Sequence, residues 1–146
     1  AHPENWQIGE KVGVLDCEGD CLVPATFDLA NLLDYDDFFT LEEKKKYITH
    51  YALATVREGK SVQDYTCAYY NSVVHRMICL GSSWSREDRK VMHARRSGAI
   101  KRALFAIVMI REECAVYFQE YEHNYSQLTN ALQSIEASLD TGQLRS

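Results

Sequence analysis

The sequence predicts a mainly α domain with one small β-hairpin near the N-terminus. Three observations predict it. Apolar residues flank a Gly-containing turn at Gly9, two boxes of helix-start residues open at Thr40 and Ser61, and the apolar positions after them recur at helical spacing.

The hairpin expectation covers about residues 5–16. Asn5, Trp6, Gln7 and Ile8 lead into Gly9-Glu10-Lys11, and Val12, Gly13, Val14 and Leu15 return. Gly13 inside the second strand marks a bulge or weakens the strand. A loop follows from Asp16 to Pro24. Pro24 suits the start of a helix carrying Phe27, Leu29, Ala30, Leu32 and Leu33. Thr40 with Glu43 predicts the next helix, with Tyr47, Ile48, Tyr51 and Thr55 as its buried stripe and Gly59 as its end. Ser61 with Asp64 opens a third, its stripe running from Tyr65 through Ala68, Tyr69, Val73 and Met77 to Leu80, where Gly81 is expected to stop it. Ser85 with Asp88 predicts a short helix ending near Gly98.

The final segment is expected to be the longest helix. Apolar or aromatic residues recur at 114, 121, 128 and 135, and again at 118, 125, 132 and 139. Such alternating spacings make the seam of a helix packed along a partner. The partner is either a second copy, giving a homodimer, or the rest of the same domain. The e and g positions show no opposite-charge pattern, which favours the second. Asn124 is the expected cap of a restart after Glu122-His123.

Composition limits the function. The 146 residues suffice for one domain with a real core, and 46% of them are hydrophobic. Residues 1–146 are therefore read as a single domain, with 1–24 as hairpin and loop and 25–146 as a helical bundle. A net charge of −5 gives no global case for nucleic-acid binding. The longest apolar run, Ala103 to Ile110, is too short to span a bilayer. Five scattered cysteines read as reduced thiols of a cytoplasmic protein. Cys17-x-x-x-Cys21 lacks the second Cys/His pair of a zinc finger. The basic run 86–102 reads as a solvated helix face rather than a phosphate-binding one. His75 reads as a surface or packed histidine and Cys114 as core.

Three positions carry candidate chemistry. Asn5 and Asp16 stand at the same end of the expected hairpin, and an amide oxygen beside a carboxylate is a hard ligand pair suited to Mg²⁺. Asp28 lies at a helix start. Plainer roles exist for each: a turn residue, a loop cap and an acid that favours a helix N-terminus.

Motif order adds to this. His2-Pro3-Glu4-Asn5 resembles the end of a catalytic loop commonly written H-G-D-x-H-P-x-N. Val14-Leu15-Asp16-Cys17-Glu18-Gly19 resembles a metal-binding segment, and Pro24-Ala25-Thr26-Phe27-Asp28-Leu29-Ala30 resembles a P-A-x-[YF]-D-L-A element. In this order they resemble the aminoglycoside phosphotransferase and choline kinase-like family, and mostly helical sequence follows, as in the C-terminal lobe of that protein-kinase-like fold. The resemblance covers about the first thirty residues. It implies an ATP-dependent phosphotransferase acting on a hydroxyl of a small molecule. Asn5 and Asp16 would be the Mg²⁺ ligands, His2 and Asp28 would belong to the framework of the catalytic loop, and Glu18 would stand behind the metal ligands. Within that reading the acidic residues Asp34, Asp36 and Asp37 would attract a cationic substrate, although taken by themselves they read first as a polar loop between helices. Cys17 departs from the aromatic residue usual after the metal-binding aspartate. The catalytic aspartate of the family would immediately precede Ala1, and the nucleotide-covering N-terminal lobe is expected to be missing. A non-catalytic helical module binding a partner through the 114–139 seam is the alternative.

The chain by itself is therefore expected to show no kinase turnover and only weak nucleotide affinity. In phosphoryl transfer the protein positions substrates and stabilises charge, and no Gly-rich phosphate loop occurs in this sequence. Calorimetric titration with Mg·ATP, with ATP turnover assayed against amines and amino-alcohols, checks this. Micromolar binding or multiple turnover, lost on Asp16→Ala, would show the expectation to be mistaken.

Overall fold

A computed structural model describes residues 6–8, 12–14, 26–34, 38–55, 59–84 and 90–140. The described chain is mostly helical. Its backbone carries two three-residue strands, β1 (Trp6–Ile8) and β2 (Val12–Val14), paired antiparallel with Trp6 opposite Val14. Six helices follow: α1 (Thr26–Leu33), α2 (Leu41–Thr55), α3 (Val62–Trp84), α4 (Lys90–Glu113), α5 (Ala115–Glu120) and α6 (Glu122–Asp140). No strand lies beyond residue 14 among the described residues. The chain divides into two compact units, Ala1–Ser72 and Val73–Ser146, and the boundary falls inside α3. No described helix is long and apolar enough to cross a membrane.

Local chemistry fixes the starts of α2 and α3. Helix α2 opens on a closed capping box: Thr40 N–H and its hydroxyl both donate to Glu43 Oε2 at 2.8 Å, and Glu43 N–H donates back to Thr40 Oγ1 at 3.3 Å. Ser61 and Asp64 repeat the device at α3, with Ser61 N–H to Asp64 Oδ2 at 2.6 Å and Asp64 N–H to Ser61 Oγ at 3.2 Å. Each box satisfies backbone N–H groups that no helical carbonyl can reach. Past the end of α2, Gly59 takes φ +78°, a left-handed conformation that costs a residue with a Cβ about 1–2 kcal/mol.

In the first unit the buried face of α2 is Ile48 and Ala52, while Tyr51 and Thr55 are half-buried. Tyr47, expected in the stripe, is exposed and rests edge-on against Phe39 at 5.6 Å. The C-terminal end of α2 is tied to α3 by Tyr65, whose hydroxyl donates to the Thr55 carbonyl at 2.7 Å. The first half of α3 buries Cys67, Tyr69, Tyr70 and Ser72, an arc wider than the single stripe that the sequence spacing implies.

In the second unit α6 packs along α4, and α5 touches both. Helix α4 offers Ala99, Ile100, Ala103, Ala106, Ile107 and Ile110, all buried, at spacings of three and four. The small alanines leave room for close approach of a neighbouring helix. On α6, Tyr125, Leu132 and Leu139 are buried seven residues apart, and Phe118 of α5 stacks on Tyr125 at 5.3 Å and 10°. Burying a leucine side chain stabilises by about 1.5–3 kcal/mol. The other predicted column divides. Cys114 is buried, Leu128 is half-buried, and Tyr121 and Ile135 are exposed.

Several boundaries differ from the sequence reading. Helix α3 continues through Gly81 to Trp84, and α4 runs through Gly98 to Glu113, so neither glycine stops a helix. A mid-helix glycine costs about 1 kcal/mol, which packing of the flanking residues easily exceeds. The interruptions in the last segment fall at Cys114 and Tyr121, each with non-helical φ and ψ, rather than at Asn124, which lies inside α6. The break at Cys114 is narrow. Cys114 N–H still bonds the Ile110 carbonyl at 2.9 Å, and Phe118 N–H bonds that of Cys114 at 2.9 Å. Ser85 and Asp88 lie outside the described residues. The cysteines also need correction. Cys67 and Cys114 are disulfide-bonded and Cys79 is a free thiol, so the set is not uniformly reduced, and the argument from reduced thiols to a cytoplasmic address falls.

The Ser61 cap sets a measurable expectation. Ser61→Ala should lower stability by about 1 kcal/mol, read from urea unfolding at neutral pH. The hydrogen bonds from the Ser61 backbone and hydroxyl hold the Asp64 carboxyl below its ordinary value. A depressed carboxyl pKa contributes stability above its unfolded value and loses it as pH falls through the folded one. The difference between Ser61→Ala and the parent should therefore shrink in acid. A difference that persists unchanged below the aspartate range would assign the loss to the Asp64 N–H to Ser61 Oγ bond rather than to the hydroxyl–carboxylate bond.

Candidate functional site

A buried polar cluster of the first unit centres on Asp34, at the end of α1. The Asp34 N–H caps back onto the Ala30 carbonyl at 3.0 Å, which fixes the carboxylate just beyond the last helical turn. Lys44 of α2 reaches Oδ1 with its Nζ at 2.6 Å, and the hydroxyl of Tyr69 from α3 donates to Oδ2. Both carboxylate oxygens are thus engaged by different helices. Asp34 is 7% exposed and Tyr69 0%. Burial first, and the Asp34 charge second, push the Tyr69 phenol far above its ordinary range, so it remains a protonated donor at any physiological pH. The Tyr70 ring stands edge-on to Tyr69 at 5.2 Å.

The other end of α1 is anchored as well. Ser72 of α3 donates its hydroxyl to the Ala68 carbonyl at 2.8 Å, which leaves its oxygen to accept from the Thr26 hydroxyl, also at 2.8 Å and buried. Helix α1 is therefore held to α3 at its first residue and just past its last. Between these anchors Asp28 sits in the first turn of α1, where a negative charge is favoured by the helix dipole, and its side chain is exposed. Asn31 lies one turn on, 7% exposed, with an Oδ1 that has no hydrogen-bond partner among the described residues.

Of the residues that the sequence places in the metal site and loop framework, Asp28 alone lies among the described residues. His2, Asn5, Asp16 and Glu18 lie outside them, as do Asp36 and Asp37. Among the described residues no group of three or more His, Cys, Asp or Glu is placed to hold a metal ion. Asp34 needs reassignment. Within the family reading it would attract a cationic substrate with Asp36 and Asp37, but its charge is met by Lys44. Its tertiary partners carried no sequence signal: Lys44 is one of three consecutive lysines, and Tyr69 reads as one more aromatic in an apolar stripe. The described basic residues of the 86–102 run lie on α4, with Arg95 and Lys101 exposed and Lys101 3.8 Å from Glu136 of α6. No family model, curated protein or solved structure matches the chain.

Removing the hub should be costly. Asp34→Ala leaves the Lys44 ammonium and the Tyr69 hydroxyl without their shared acceptor. Breaking one side of a buried pair typically costs about 3–5 kcal/mol, and the lower end is expected because the Lys44 side chain keeps 16% exposure. Adding Lys44→Met to Asp34→Asn should recover part of the loss, since the stranded charge is then gone. Urea unfolding of the three variants tests this. A loss from Asp34→Ala within the 0–1 kcal/mol or so of exposed ion pairs would demote the cluster to a surface contact.

Proposed function

We propose that this chain is the C-terminal lobe of a kinase-like phosphotransferase that moves the γ-phosphoryl group of ATP to a hydroxyl of a small molecule. The observation that carries the reading is the order of three motifs around a short hairpin, the third of which ends in α1 with Asp28 in its first turn. The mostly helical chain that follows agrees with such a lobe.

Asn5 and Asp16 are the proposed metal ligands, with Glu18 behind them and His2 and Asp28 in the framework of the loop. The donor set fits Mg²⁺, which prefers hard oxygens and retains several waters when only two protein groups bind it. Pairing of Trp6 with Val14 supports the assignment. The end of β1 that follows Asn5 in sequence is also the end of β2 that precedes Leu15 and Asp16. Mg·ATP, when bound, would supply the transferable phosphoryl group and the cation that offsets its charge. For Asp28, the two anchors of α1 supply what a framework carboxylate needs: a helix start held rigidly from behind, with the side chain left at the surface. Asp36 and Asp37 remain the proposed attractors of a cationic substrate. The rival reading is a helical module or homodimer using the 114–139 seam; of that seam Tyr125, Leu132 and Leu139 are buried, while Tyr121 and Ile135 are exposed.

The test uses Mn²⁺ as a paramagnetic stand-in for Mg²⁺ in the full ¹⁵N-labelled chain, with and without ATP. Amide signals near residues 5 and 16 are expected to broaden first, more strongly with ATP present, and Asp16→Ala should abolish the effect. Broadening centred elsewhere, or unchanged in Asp16→Ala, would sink the metal assignment.

A further inference from the structure

We propose that His75 and Cys79 of α3 form a two-point binding site for Zn²⁺. The two residues lie four apart on one helix, so their side chains stand on the same face on consecutive turns. Both are exposed, and Cys79 is a free thiol. The Cys79 Sγ and His75 Nε2 atoms are 3.6 Å apart. That separation is the one a single tetrahedral ion requires. With zinc–sulfur and zinc–nitrogen distances of about 2.3 Å and 2.0–2.1 Å, the edge between the two ligands is about 3.5 Å. The separation therefore matches that of two ligands sharing one zinc ion, on a helix that is already formed.

The donor chemistry selects the metal class. A thiolate and an imidazole nitrogen suit Zn²⁺, whereas Mg²⁺ and Ca²⁺ prefer oxygen. The site is thus chemically separate from the oxygen site proposed at Asn5 and Asp16, and it stands whether or not the phosphotransferase reading holds. Only two of the four tetrahedral positions come from these residues, and water completes the rest, as in open zinc sites. Binding displaces the thiol proton, so the bound sulfur is no longer available to an alkylating reagent.

Alkylation supplies the test. The full chain is treated with iodoacetamide in increasing Zn²⁺, and carboxamidomethylation of the Cys79 peptide is read by mass spectrometry, which keeps the other cysteines out of the measurement. Zn²⁺ should protect Cys79 and Mg²⁺ should not. In His75→Ala, which removes an exposed side chain in favour of a strong helix former, the Zn²⁺ concentration for half-protection should rise by about tenfold or more. Loss of even an outer-sphere partner typically costs about 10–100-fold in affinity, so tenfold is a floor for a direct ligand. Co²⁺ in place of Zn²⁺ should give a sulfur-to-metal charge-transfer band that Cys79→Ser removes. Absence of protection by Zn²⁺, or equal protection in His75→Ala, would reduce the pair to a thiol–imidazole hydrogen bond and overturn the proposal.

Discussion

The buried carboxylate of Asp34 is the constraint on which the first unit depends. A charge at 7% exposure is tolerable only if its lone pairs are met, and here one oxygen takes the Lys44 ammonium and the other the Tyr69 hydroxyl. Because those partners come from α2 and α3, satisfying one charge fixes three helices at a point. Leucines and alanines alone would hold the same helices together with less directional preference, since the hydrophobic effect has none. The Thr26–Ser72 bond adds a second fixed point at the opposite end of α1. Two anchors on a helix of eight residues leave it little freedom, and any role of Asp28 inherits that rigidity.

The second unit is organised differently. The buried residues described on α4 and α6 are mostly apolar, alanines and isoleucines of α4 with Tyr125, Leu132 and Leu139 of α6, and the described ion pair between these helices, Lys101 with Glu136, is a long contact at the surface. Order there comes from shape. The seven-residue spacing on α6 gives one continuous column, and the break at Cys114 keeps the helical bonds to Ile110 and from Phe118, while Tyr121 N–H bonds the Phe118 carbonyl three residues back. A polar hub in one unit and an apolar seam in the other mean that mutation acts on them through separate physics.

Much of this was legible in the residues, and the reason is locality. The capping boxes at Thr40 and Ser61 involve partners three residues apart, so the pattern in the sequence is the interaction itself. The column 125, 132, 139 was legible because the helical repeat is fixed by backbone geometry. The glycines misled because a helix-breaking propensity of about 1 kcal/mol is weak against packing. Gly81 and Gly98 lie inside helices, and a Cβ placed at either would meet nothing within 4 Å. Tyr47 misled because periodicity says which residues share a face but not how wide the buried arc is.

By itself the sequence determined the helical class, the starts of α2 and α3, the apolar column of α6, and the motif order on which the phosphotransferase proposal rests. Each of these depends on residues near one another in the chain or on a fixed helical period. Tertiary structure alone decided which acid became the hub, which of three lysines met it, and that an aromatic in a stripe would serve as a hydrogen-bond donor. It also decided that Cys67 and Cys114 are oxidised while Cys79 is free beside His75. Partners such as Asp34 and Tyr69 are thirty-five residues apart. Their meeting is set by how whole helices pack, which no local propensity or spacing encodes.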